Sequence, residues 1–160
     1  MKIIKLIINI LSDIVIALCI IFIVAYLIGI KTYVVLSGSM EPTLKTGSVC
    51  FINTKYEYSK LKKGDIIAFK LKDGVLVTHR INEVKEDRLV TKGDANRVKD
   101  KVLVNEKNYI GKNIYSIPKL GYIVRKLQTK TGLIICVTFI ILIFLTGILL
   151  GEPSRKKETK

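Results

Sequence analysis

The stretch DIIAFKLKDGVLVTHRINEV, residues 65–84, decides how this chain folds. Two runs rich in apolar and β-branched residues, 65–70 and 75–84, flank Lys72-Asp73-Gly74, and Asp-Gly between such runs signals a tight hairpin. In the second run the strand period of two sets Val75, Val77, His79 and Ile81 on one face and Leu76, Thr78 and Arg80 on the other. The only histidine of the chain therefore shares the more apolar face, a setting in which a neutral imidazole can accept a proton.

Further short β-rich runs lie on either side: 48–53 (SVCFIN), 88–91 (RLVT), 102–104 and 113–117 (NIYSI). Thr46-Gly47, Lys63-Gly64-Asp65 and Lys92-Gly93-Asp94 supply turns between them. No repeat, low-complexity tract or long helical periodicity interrupts the pattern. The prediction is a mainly β protein whose small antiparallel domain occupies residues 31–131.

Outside that domain the chain changes character. Residues 14–30 (IVIALCIIFIVAYLIGI) and 132–150 (GLIICVTFIILIFLTGILL) carry no charge, and each is long enough to cross a bilayer as a helix, the first only just. The 160 residues are 49% hydrophobic with a mean hydropathy of +0.38, too apolar for an ordinary soluble domain. The first run exceeds a signal-peptide core and no small-x-small cleavage site follows it before the serines, so 1–30 is expected to end in a retained anchor. Lys2, Lys5 and the basic tail 151–160 give both ends a cytoplasmic signature, leaving the β domain extracytoplasmic. The apolar flanks 33–36 (YVVL) and 117–124 (IPKLGYIV) suit either the membrane interface or ordinary core packing.

A net charge of +14 invites nucleic-acid binding, yet the cations are scattered among apolar strands of a segment that faces away from the cytoplasm. Contact with anionic headgroups accounts for them more simply. Of three cysteines, Cys19 and Cys136 fall in the apolar runs and Cys50 stands alone in 31–131, so no disulfide forms within that domain. With one histidine, no clustered His/Cys metal site and no cofactor is expected.

The segment VLSGSMEPTL, residues 35–44, bends at Gly38 between Ser37 and Ser39, while Pro42 biases Glu41 toward an extended conformation. A plain hydrophilic turn or a helix cap would explain it, but a capping box wants Glu or Gln three residues on, where Ser37 meets Met40 and Ser39 meets Pro42. A serine activated by His79 would also need a group to fix the imidazole's tautomer, and a carboxylate does this best. KGDANRVKD offers Asp94, in a turn, and Asp100, between Lys99 and Lys101. Spacing alone assigns neither to His79.

SGSMEPTL, then VTHRI, then TKGDANRVKD, in this order, resemble signal peptidase I of the endoplasmic-reticulum and archaeal type, also found in some Gram-positive bacteria. The resemblance covers almost the whole chain and implies the β fold shared with self-cleaving repressors, here flanked by two transmembrane helices. It implies a serine endopeptidase that removes signal peptides from exported preproteins. Ser39 would be the nucleophile and His79 the base, where the common bacterial branch uses lysine. Asp100 would partner the histidine, Asp94 would be a structural or supporting carboxylate, and Ser37 with the Ser39 N–H would form the oxyanion hole. Substrate would bind as an added β-strand, its small side chains at Ala-x-Ala type positions entering shallow pockets. The alternative is a non-catalytic, membrane-anchored binding or complex-assembly module on the same fold.

Overall fold

A computed structural model describes residues 2–127 and 129–150; the expected basic tail, 151–160, lies outside them. The elements run α1 (Lys2–Leu27), β1 (Ile30–Val34), β2 (Val49–Asn53), a 3-10 turn (Tyr58–Lys60), β3 (Ile66–Lys70), β4 (Leu76–Lys85), β5 (Arg88–Lys92), β6 (Tyr109–Ile117), α2 (Leu120–Leu127) and α3 (Lys130–Leu150). All six strands form one sheet in the order β1-β2-β6-β3-β4-β5, antiparallel throughout. The last strand in sequence, β6, thus lies between β2 and β3.

The expected hairpin is β3–β4, with Ile67 opposite His79, Phe69 opposite Val77, and Leu71 N–H donating to Val75 O at 2.8 Å across the turn. Alternation along β3 divides the core. Ile67 and Phe69 pack with Leu61, Ile81, Leu89 and Val104, whereas Ala68 joins Met40, Leu44, Cys50 and Ile52. Burying aliphatic and aromatic side chains of this size contributes about 1.5–3 kcal/mol each, and a sheet with apolar side chains on both faces must be covered on both. The segment between β1 and β2, which carries the serines, supplies Met40 and Leu44 to that covering and is thereby fixed on the sheet.

Several boundaries differ from expectation. The first helix spans Lys2–Leu27 instead of 14–30, because a single Asp13 does not interrupt a helical backbone. It ends where Gly29 adopts φ +90°, a left-handed conformation that only glycine takes without strain, with Gly29 N–H closing on Tyr26 O at 3.0 Å. Ile30 then pairs with Asn53, so β1 begins inside what the sequence presents as one apolar run. Tyr33 and Val34, read as a flank, face Cys50 and Val49 across β1–β2, and Tyr33 packs on the second cluster. The flank 117–124 ends β6 and forms most of α2, seated by Gly121 N–H on Gly47 O at 2.8 Å. The run 102–104 makes one isolated bridge, Val104 to Leu89, and β6 starts at Tyr109, before the expected Asn113.

The sheet and its loops form one compact unit, residues 25–125, and the remaining described residues form another. Among the described residues one helical segment, Leu6–Leu27 of α1, is long and apolar enough to cross a membrane. Its apolar side chains, Ile14, Leu18 and Phe22 among them, are exposed, which fits a membrane anchor. In α3, Ile134, Phe139 and Ile141 are likewise exposed.

Candidate active site

Pairing between β4 and β5 begins at Arg80 opposite Lys92, so His79 stands where β4 has no β5 neighbour. Two loops close over that gap. One is the segment after β1 with Ser37 and Ser39; the other follows β5 and carries Asp94 and Asp100.

His79 is buried, and its two ring nitrogens face different partners. Nδ1 lies 2.6 Å from Asp100 Oδ2, and Nε2 lies 3.1 Å from Ser39 Oγ. A carboxylate only accepts, so Nδ1 carries the proton and donates it to Asp100, which leaves Nε2 with a lone pair aimed at the Ser39 hydroxyl. That is the tautomer a general base requires. Phe69 closes on the imidazole with ring centroids 6.3 Å apart. Ser37 Oγ lies 3.2 Å from Ser39 Oγ, close enough for one hydroxyl to donate to the other.

The Ser39 peptide is tied to the second loop. Ala95 N–H donates to Ser39 O at 2.9 Å, and a Cβ on Gly93 would sit 2.5 Å from that same oxygen. Gly93 is thus needed for close approach of one backbone to another. Gly38, by contrast, is not in the left-handed region, and a Cβ there would make only ordinary contacts with Glu41, so the serine bend does not depend on glycine torsion as expected. The bend is held by backbone bonds, Glu41 N–H to Gly38 O at 3.0 Å and Leu44 N–H to Met40 O at 2.8 Å.

The structure brings Ser37, Ser39, His79 and Asp100 together and sets Asp94 apart from them. Asp94 receives both Arg80 Nε at 2.8 Å and an Arg80 terminal nitrogen at 2.6 Å, and accepts from Thr43 Oγ1 at 2.6 Å. The Arg80 hydrogen bonds, with Thr43 adding to them, hold this carboxyl below the usual carboxylate range. The brace joins three segments: β4 through Arg80, the serine-bearing loop through Thr43, and the loop after β5 through Asp94.

A groove of about 620 Å³ leads to Ser39 and His79, walled by residues 33–37 and 75–79. Met40, Leu44 and Cys50, all buried, line it as well. Burial pushes the Cys50 thiol up to about 11, so it stays protonated at neutral pH and behaves as an apolar wall. No grouping of His, Cys, Asp and Glu suited to a metal ion occurs among the described residues.

A family model described as "Signal peptidase, peptidase S26" matches residues 7–132. The chain belongs to the signal peptidase family. It is 41% identical over 78 residues to Signal peptidase I W of Bacillus subtilis (strain 168), covering 46% of this chain and 41% of that protein. It is 35% identical over 104 residues to the signal peptidase complex catalytic subunit SEC11 of Zygosaccharomyces rouxii, covering 56% of this chain and 61% of that protein. With the human catalytic subunit SEC11C the identity is 32% over 103 residues, 56% of this chain and 53% of the relative. The chain therefore spans between about two fifths and three fifths of these relatives' lengths.

Within this signal peptidase family member the sequence alone did not single out Arg80, Thr43, Ala95 or Thr91. Arg80 follows His79 directly, so alternation places it on the opposite face of β4, but nothing in the sequence marks its partner. Thr91 is fully buried, and a buried hydroxyl must find a partner.

Proposed function

We propose that this protein is a membrane-bound serine endopeptidase that removes signal peptides from exported preproteins. The observation that carries the reading is the continuous hydrogen-bond path from Ser39 through His79 to Asp100 at the end of an apolar groove.

The substrate would lie extended between residues 33–37 and 75–79, adding main-chain hydrogen bonds as a strand, and small side chains would enter the shallow apolar groove. Ser39 Oγ attacks the scissile carbonyl carbon while His79 Nε2 takes the hydroxyl proton. The imidazolium is stabilised by Asp100, and the oxyanion receives hydrogen bonds from Ser37 and the Ser39 N–H. Collapse breaks the C–N bond as His79 returns the proton to the leaving amine. Water, deprotonated by the same nitrogen, then hydrolyses the acyl-enzyme. Activity should fall in acid as the imidazole takes up a proton and loses its lone pair.

In this reading α3 is a second span, both chain ends are cytoplasmic and the β unit lies outside, in keeping with Lys2, Lys5 and the basic tail. The bilayer and the anchored signal peptide are then the partners, without nucleic acid. The test is cleavage of a secretory preprotein by the full chain in detergent or liposomes. Wild type should release a shorter product with a defined new N-terminus, and Ser39→Ala should release none. Product formation by Ser39→Ala would overturn the mechanism. Proteolysis of sealed vesicles reads the orientation, with protection of the β unit from outside in right-side-out vesicles opposing it.

A further inference from the structure

Asp100 has a second partner that the mechanism above does not use. Thr91, on β5, is fully buried, and its hydroxyl donates to Asp100 Oδ2 at 2.6 Å, the same oxygen that faces His79 Nδ1 at 2.6 Å. The backbone reinforces the link, with Asp100 N–H donating to Thr91 O at 2.8 Å. Asp100 is therefore held at its amide and at one carboxylate oxygen by a single residue on a paired strand.

We propose that Thr91 is a positioning residue for the general base, acting through Asp100. The inference rests on the peptidase reading. A carboxylate oxygen that accepts two charge-assisted hydrogen bonds shares its electron density between them, so the threonine both fixes the rotamer that aims Oδ2 at His79 and limits how strongly that oxygen holds the imidazole proton. The other charges nearby are engaged elsewhere: Arg80 and Asp94 with each other, and Lys99 with Glu83 at 3.1 Å. Lys92 lies beside Asp94, and Lys101 is exposed. Thr91 and His79 are thus the side chains aimed at this oxygen.

The test compares wild type, Thr91→Val, Thr91→Ser, Asp100→Asn and the double variant Thr91→Val/Asp100→Asn on a preprotein substrate. Thr91→Val keeps shape and removes the donor, and should lower kcat about ten- to hundredfold with KM little changed, as loss of a hydrogen bond to a charged group implies. Thr91→Ser should restore most of the rate. In the Asp100→Asn background Thr91→Val should cost little more, because its effect passes through the carboxylate. Nuclear magnetic resonance of the single histidine gives a readout independent of turnover: the midpoint of its titration should move to higher pH in Thr91→Val. An unchanged titration, a full additional penalty in the double variant, or a loss that serine does not restore would overturn the proposal. Cleavage by wild type that Ser39→Ala abolishes but Thr91→Val leaves intact would remove this inference alone. Absence of cleavage by wild type would count against the peptidase reading instead, and the titration would still judge the role of Thr91.

Discussion

The loop after β5 carries two aspartates six positions apart, and they meet different fates on neighbouring residues of one strand. Asp100 goes to His79, and Asp94 to Arg80. Because β4 alternates, those two partners point to opposite faces, so one loop straddles the strand and touches both. The difference lies in what each partner can do with charge. A guanidinium is always protonated, so Asp94–Arg80 is a fixed ion pair whose value is geometric. An imidazole can gain and lose its proton, so in the proposed mechanism the same carboxylate chemistry beside His79 serves a proton relay.

The sharpest way to break this contrast is to disable each side in turn. His79→Ala should lower kcat by at least about a thousandfold, and Asp100→Asn by about a hundred- to ten-thousandfold, since the amide would favour the wrong tautomer. Both are measured as initial rates on a preprotein. An Asp100→Asn enzyme within tenfold of wild type would erase the distinction between the two aspartates. Gly93→Ala should come next, at about ten- to a hundredfold in rate, because its methyl group displaces Ser39 O and Ser39 moves relative to His79. A wild-type rate would mean that the clasp between the two loops does not register the serine.

Asp94→Asn should reverse the pattern, costing about 1–3 kcal/mol of stability at neutral pH and less than tenfold in kcat. Its pH dependence has a definite sign. Asp94 is held below the usual carboxylate range in the folded protein, so its contribution is complete above the unfolded value, about 3.9, and is lost as pH falls through the folded one. Chemical denaturation of the β unit should therefore show wild type and Asp94→Asn converging below about pH 4. A gap that stays constant from neutral pH into acid would disprove an ionic brace. Arg80→Lys should do least, about 1 kcal/mol, because lysine keeps the charge and loses the two-pronged geometry on a side chain that is 35% exposed. A midpoint of thermal unfolding equal to wild type would show that the fork itself carries no weight.

The parts of this molecule that sequence makes legible are those encoded locally. The β3–β4 hairpin follows from Asp73-Gly74 and from alternation, and His79 on the apolar face follows from the same period. The apolar run 14–30 hides a helix end and the start of a strand, because the left-handed turn at Gly29 and the pairing of Ile30 with Asn53 that separate them leave no break in its apolar pattern. For α2, eight residues containing a glycine carry too short a pattern to distinguish helix from flank, and the helix owes its place to Gly121 on Gly47. The contrast between Asp94 and Asp100 was likewise beyond spacing, since what separates them is which face of β4 each reaches. Thr91 was invisible for the same reason: a threonine in RLVTK is an ordinary strand residue until the fold brings Asp100 to it.

The place of β6 has a consequence for how the protein is made. The β1–β2 half holds the segment with Ser39, the β3–β4–β5 half holds His79, and β6 is the strand that joins the two halves in the sheet. Among the strands, translation reaches β6 last, after Ser39, His79 and Asp100 have been synthesised. Until it is inserted, serine and histidine belong to pieces of sheet with no shared hydrogen-bond ladder. The serine and the histidine therefore come to share one sheet only once β6 is in place.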